Sequence, residues 1–188
     1  MSESSSTLTS VAAAEFFILA GNRKRYSQLA QLFDQWLELR ADQFAPDYSR
    51  FRISNLDYAI APNCVCVDVI NGGEDFVYRY WGGNYADIST MEMAGKSIGN
   101  LQPESLSNAA TRSYREVLEL KDARISIIEL LDVYDLQANT ITLRLPYSTN
   151  QQDVDVIFSS FVVNEHSKGD VAKAARHTLG VDPKFGSF

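Results

Sequence analysis

The chain has 188 residues, 45% of them hydrophobic and 22% charged, with a formal net charge of -7. That length buries one good core and is short for two, so one globular domain with extensions is expected. No run approaches the ~18 apolar residues of a membrane-spanning helix, and the serine-rich, acidic start does not resemble a secretory signal, so a cytoplasmic protein is expected.

The distribution of charge narrows the class further. Residues 61–165 carry seven Lys/Arg against fifteen Asp/Glu, while residues 166–188 carry four basic and two acidic side chains. An acidic body with no basic stripe repels phosphate backbones, so nucleic-acid binding is not expected of it. Both cysteines, Cys64 and Cys66, sit two apart in a strand-like run, which points their thiols to one face. That spacing is neither a redox Cys-x-x-Cys nor half of a zinc site, and small buried hydrophobes are the expected role.

Residues 1–25 read as an N-terminal extension, flexible over a serine- and threonine-rich start and helical around Val11 to Ala20. Residues 26–63 hold a leader helix and a connecting segment. Leu29, Leu32, Phe33, Trp36 and Leu37 recur at helical spacing, with Gln28, Gln31, Asp34, Gln35 and Glu38 on the other side. This stripe must cover something, either the chain's own domain or the same helix of a second copy. A homodimer is expected, with Leu29, Leu32, Phe33 and Trp36 as its interface.

Cys64 to Ile70 is β-branched and alternating, and Asn71-Gly72-Gly73 supplies the positive φ values of a tight turn. The return strand, Phe76 to Trp81, alternates Phe76/Tyr78/Tyr80 with Val77/Arg79/Trp81, and the uncharged aromatic set is assigned to the core. Short helices are expected over Asn84 to Met93 and near Ser97 to Leu106. A longer one is expected from Ser107 to Lys121, with Ala110, Tyr114, Val117 and Leu118 on one side and an Arg115–Glu119 surface pair on the other. Three further strands follow, over Ile125 to Tyr134, Thr140 to Leu145 and Val154 to Val163, with Pro146 where the middle strand should leave its ladder. Residues 64–165 therefore read as one α+β core, a five-stranded antiparallel sheet with helices on one face, and residues 166–188 as a polar tail.

That order of elements, with the residues that carry it, resembles a PAS domain. Phe76-Val77-Tyr78-Arg79-Tyr80-Trp81-Gly82 is similar to the "F-x-Y-R-hydrophobic-hydrophobic-G" strand of a family of small, stand-alone bacterial PAS proteins. Ala94-Gly95-Lys96-Ser97-Ile98-Gly99 resembles that family's "T-G-x-x-(hydrophobic)" element, Leu145-Pro146-Tyr147 its "L-P-(hydrophobic)" strand end, and Val154-Asp155-Val156-Ile157 its final strand. The tryptophan in Leu32 to Arg40 is similar to one in the family's leader helix. The resemblance spans about residues 30–165, and it departs at Gly83, where the family has threonine, and at the last turn, which lacks glycine.

The resemblance implies a bacterial sensory or protein-interaction domain. It would bind a small ligand between sheet and helices and signal through a partner protein or a change of dimer. A flavin photosensor of this kind would carry a cysteine in the central helical block, and residues 84–121 have none. A haem sensor would need a central histidine, whereas the two histidines, His166 and His177, follow the last strand. The cofactor is left unassigned. The same placement of histidine leaves no Ser-His-Asp arrangement in the core, so no enzyme activity is expected. The inward aromatic residues Tyr78, Tyr80, Tyr114 and Phe158 are the candidate ligand contacts, since buried tyrosine hydroxyls call for partners. Two other readings stay open: a ligand-free structural adaptor, and a cone-shaped fold of the nuclear-transport-factor type acting as an enzyme on a small hydrophobic substrate.

Overall fold

A computed structural model describes residues 24–130 and 138–164. The expected helix at Val11 to Ala20, His166, His177 and the polar tail lie outside the described residues.

The leader helix α1 spans Ser27–Arg40. Its stripe of large apolar residues turns Leu29, Leu32 and Trp36 inward, and Arg40 in the last turn complements the negative end of the helix dipole. The helix stops at Ala41, whose φ of 50° and ψ of -123° are incompatible with another turn. Three single 3-10 turns, Tyr48–Arg50, Ile53–Asn55 and Ala61–Asn63, carry the chain into β1, Cys64–Ile70. The turn into β2, Asp75–Trp81, uses Asn71, Gly72 and Gly73 at φ 47°, 68° and 101°. A side chain on Gly73 would also meet Leu118 Cδ1 at 2.5 Å.

The short helix α2, Gly83–Ser89, follows, then a 3-10 turn at Ile98–Asn100 and the long helix α3, Glu104–Leu120. The last three strands are β3, Arg124–Leu130, β4, Ala138–Tyr147, and β5, Val156–Asn164. All pairings are antiparallel, and the sheet order is β2-β1-β5-β4-β3. Two strands, a helical block and a three-strand meander make this a PAS-like α+β fold. Pro146 does not end β4 as expected: it sits opposite Ile157 inside the ladder, and pairing runs one residue further, to Tyr147 and Val156.

The sheet is covered on both faces. Helix α3 and its neighbours bury Val65, Val67, Phe76, Tyr78, Val117 and Ile157 on one side. On the other side, α1 and the 3-10 segment bury Cys64, Cys66, Ile125, Ile141, Leu143, Leu145 and Phe158. The indole N–H of Trp36 donates to the Pro146 carbonyl at 2.8 Å and so fastens α1 to β4. The stripe offered for a homodimer is thus used within one copy: Leu29, Leu32 and Trp36 are at most 2% exposed, and Phe33 is partly buried with its ring stacked on Trp36. An amphipathic stripe has the same spacing whether it covers its own sheet or a second chain, which is why spacing alone left the choice open. Leu29, Leu32 and Trp36 cannot serve a partner without leaving the sheet.

Among the described residues, no helix is long and apolar enough to cross a membrane. The Arg115–Glu119 pair does not form. Glu116, on the same helix, instead meets Arg124 at 3.1 Å.

Candidate functional site

The organising strand β2 contains a bulge. Cys66 pairs with Tyr80 and Val67 with Tyr78, so Arg79 is an extra residue on its strand. A bulge breaks the two-residue alternation and re-aims every side chain after it. Phe76 and Tyr78 face the helical block as expected, but beyond the bulge Trp81 joins them there and Tyr80 turns to the leader-helix face. The Tyr80 hydroxyl donates to the Ala61 carbonyl at 3.1 Å, and Trp81 Nε1 donates to the Met91 carbonyl at 2.9 Å. Arg79 pairs with Asp68 and lies 4.8 Å from the Tyr48 ring.

The strand ends against Gly82. A Cβ there would stand 2.4 Å from the Pro62 carbonyl oxygen and 2.6 Å from that of Cys64, both backbone atoms. Only glycine lets β2 approach this closely before the chain turns into α2.

Of the four candidate ligand contacts, Tyr78 and Tyr114 meet on the helical-block face. Each is almost fully buried, and burial, followed by the neighbouring tyrosines, pushes the Tyr78 hydroxyl well above its ordinary range. Tyr114 is raised by burial as well, against an opposing pull from the Arg144 charge. Phe158 lies on the other face, opposite Cys66, with its ring 4.8 Å from that of Phe51. Tyr80 and Phe158 are therefore separated from Tyr78 and Tyr114 by the sheet itself. With both faces buried, an inward position does not specify which interior a side chain enters.

The helical-block face also holds residues that the sequence reading passed over. Tyr85 of α2 packs edge-on against Phe161, with ring centres 4.3 Å apart, and tilts against Trp81 at 5.1 Å. Burial raises its hydroxyl too, again against the Arg144 charge. Arg144 itself is 5% exposed, its guanidinium 5.5 Å from the Tyr114 ring, with Nη1 donating to Ser126 Oγ. Its Nε makes no hydrogen bond, nor does the fully buried Ser159 Oγ one strand away. Directly opposite on β3, Arg124 is also buried but takes Glu116. Thr142 and Arg144 alternate with Leu143 and Leu145, a pattern that in a half-exposed sheet marks the solvent side. Here that side is covered by the helices.

The other face offers different chemistry. Burial pushes the Cys64 thiol up to about 12 and the Cys66 thiol to about 11. Cys66 Sγ donates to the Tyr48 hydroxyl at 3.4 Å, and Cys64 Sγ to the Ile60 carbonyl at 3.2 Å. Such thiols are protonated at neutral pH and unreactive. A cavity of about 630 Å³ opens to solvent between α1 and residues 55–60, lined by polar side chains such as Gln31, Glu38 and Asp57. It lies apart from the buried tyrosines. No cluster of His, Cys, Asp or Glu fit to hold a metal ion occurs among the described residues.

No protein-family model matches the chain, and no curated protein does. Among solved structures, the PAS domain of BvgS from Bordetella pertussis is similar at 11% identity and a TM-score of 0.45, over 79% of this chain and 96% of that one. A LOV protein from Rhodobacter sphaeroides is similar at 14% identity and a TM-score of 0.42, over 62% and 67%. A sensory box histidine kinase from Vibrio cholerae is similar at 16% identity and a TM-score of 0.42, over 54% and 82%. The PAS-like architecture rests on the strand order and the placement of the helical block, not on these distant likenesses.

Proposed function

We propose that the chain is a PAS-type sensory module that holds a small molecule on the helical-block side of its sheet. The state of that site would pass to a partner protein or to a second copy. The observation that supports this reading is the chemistry of that interior. Tyr78, Tyr85, Tyr114, Arg144 and Ser159 bring polar groups into an interior that apolar residues would form at lower cost, and two of those polar atoms lack a protein partner. No covalent chemistry is needed: the role is binding rather than catalysis, in a cytoplasmic setting. Because the α1 stripe is occupied within one copy, a homodimer would have to use another surface.

Native mass spectrometry of protein purified from its own host, beside the denatured mass, tests the reading. Extra mass that disappears on denaturation is expected, and its value begins to identify the ligand. A bare mass that stays bare after incubation with extract of the host's small molecules would favour the ligand-free adaptor. A complex at twice the chain weight would support dimerisation, and a monomer at micromolar concentration would direct the search to partner proteins.

A further inference from the structure

We propose that the helical-block side of the sheet binds a small organic monocarboxylate with an apolar body, and that the Arg144 guanidinium is its anchor. The proposal rests on the ligand-holding reading above and names the chemical class of the ligand.

A guanidinium carries five N–H donors and stays charged at any pH the protein experiences. Burying one without a counter-charge is unfavourable, and a buried arginine ordinarily has a carboxylate against it. Arg124 meets this requirement through Glu116. Arg144, its direct cross-strand neighbour, is more deeply buried, forms no ion pair with a described carboxylate, and leaves Nε without any partner. Two guanidinium groups lie side by side on adjacent strands, and Glu116, the carboxylate that meets Arg124, does not pair with Arg144. A single negative charge matches it, and a carboxylate fits the planar fork of donors.

The surroundings fit the rest of such a molecule. Tyr78, Tyr85 and Tyr114 stay protonated at neutral pH because burial raises all three, so none of them sets a negative charge beside the guanidinium. Their rings continue into an aromatic group in which Tyr78 meets Trp81 at 4.7 Å and Trp81 meets Tyr85 at 5.1 Å. An aliphatic or aromatic body would find apolar contact there, whereas a polyanion would meet, among the described residues, one guanidinium without a carboxylate partner.

The test uses the full chain, exhaustively dialysed, with acetate, benzoate and octanoate set against acetamide, benzamide and octanamide at matched ionic strength. Thermal unfolding and calorimetric titration are the readouts. At least one carboxylate is expected to raise the melting temperature by about 5 °C or more at 100 times its Kd, with no shift from its amide. Arg144→Met should weaken that carboxylate at least ~tenfold and should raise the melting temperature of the ligand-free protein, since it removes an uncompensated charge. If that variant does not fold, the carboxylate–amide contrast in the unaltered protein still decides. Amides binding as tightly as carboxylates would overturn the Arg144 anchor while leaving a ligand-holding module in place. No shift with any of the six compounds would overturn the anchor, and the native mass comparison judges the ligand-holding reading separately.

Discussion

Strand β4 shows two different interiors at once. Toward α1 it presents Ile141, Leu143, Leu145 and Tyr147, all packed among apolar neighbours in one cluster. Toward the helical block it presents Thr142 and Arg144, both buried, beside Ser159 and Phe161 of β5. The α1 face includes a fully buried tryptophan whose one polar atom is hydrogen-bonded, and two buried thiols that each make a bond. The opposite face keeps an unpartnered guanidinium nitrogen and an unpartnered hydroxyl. The first interior is built to hold the sheet. The second accepts a polar cost that core-filling does not require, which is the usual mark of a site.

Removing a support from the α1 face should have the largest effect. Trp36→Ala deletes the most voluminous fully buried side chain and the donor to the Pro146 carbonyl, and a loss of about 3–5 kcal/mol is expected in urea unfolding. An unchanged midpoint would mean that α1 does not rely on this contact, and the contrast between the faces would fail. Gly82→Ala should cost about 1–3 kcal/mol, because the new methyl meets backbone carbonyls of Pro62 and Cys64 that cannot swing away. Far-ultraviolet circular dichroism during denaturation measures it, and a neutral result would show that β2 can shift outward.

The thiols sharpen the same contrast through pH. Burial raises both above the ordinary thiol value of 9.0, to about 12 for Cys64 and about 11 for Cys66, so the folded state disfavours the thiolates. Their contribution to stability is complete below pH 9 and declines as pH rises from 9 through 11 and 12. Replacing both with alanine should remove part of the alkaline loss of stability. Labelling by a thiol reagent at pH 8 should follow global unfolding, and rapid labelling of the native protein would show that this face opens locally. The smallest effect is expected at Ala41, which holds φ 50° with ψ -123° just beyond α1, a region that glycine enters freely. Ala41→Gly should gain about 0.5–1 kcal/mol, a rise in midpoint that leaves the urea slope unchanged.

Much of the fold was legible along the chain because its signals are local. The Leu29–Leu32–Trp36 spacing located α1, Asn71-Gly72-Gly73 located the first hairpin, and the alternation in Cys64 to Ile70 gave that strand its observed bounds. Of the four candidate contacts, Tyr78 and Tyr114 share one interior. The misplacements have two origins, a bulge in β2 and a sheet buried on both faces. Tyr80 and Trp81 were assigned to faces by strict alternation, and one extra residue at Arg79 exchanged them. Arg144 alternates with leucines and so reads as facing solvent, and Phe158, expected at the sheet–helix interface with Tyr78, enters the α1 face instead.

By itself the sequence determined the order of strands and helices, the tight turn and the apolar stripe, since each depends on spacing among near neighbours and on the φ preferences of single residues. Tertiary structure alone decided that α1 covers its own sheet, that both faces are buried, and that a bulge divides the aromatic strand between them. The docking of α1 depends on contacts between residues more than a hundred positions apart, such as Trp36 with Pro146, the bulge depends on pairing across β1, and no local periodicity encodes which surface a stripe will meet.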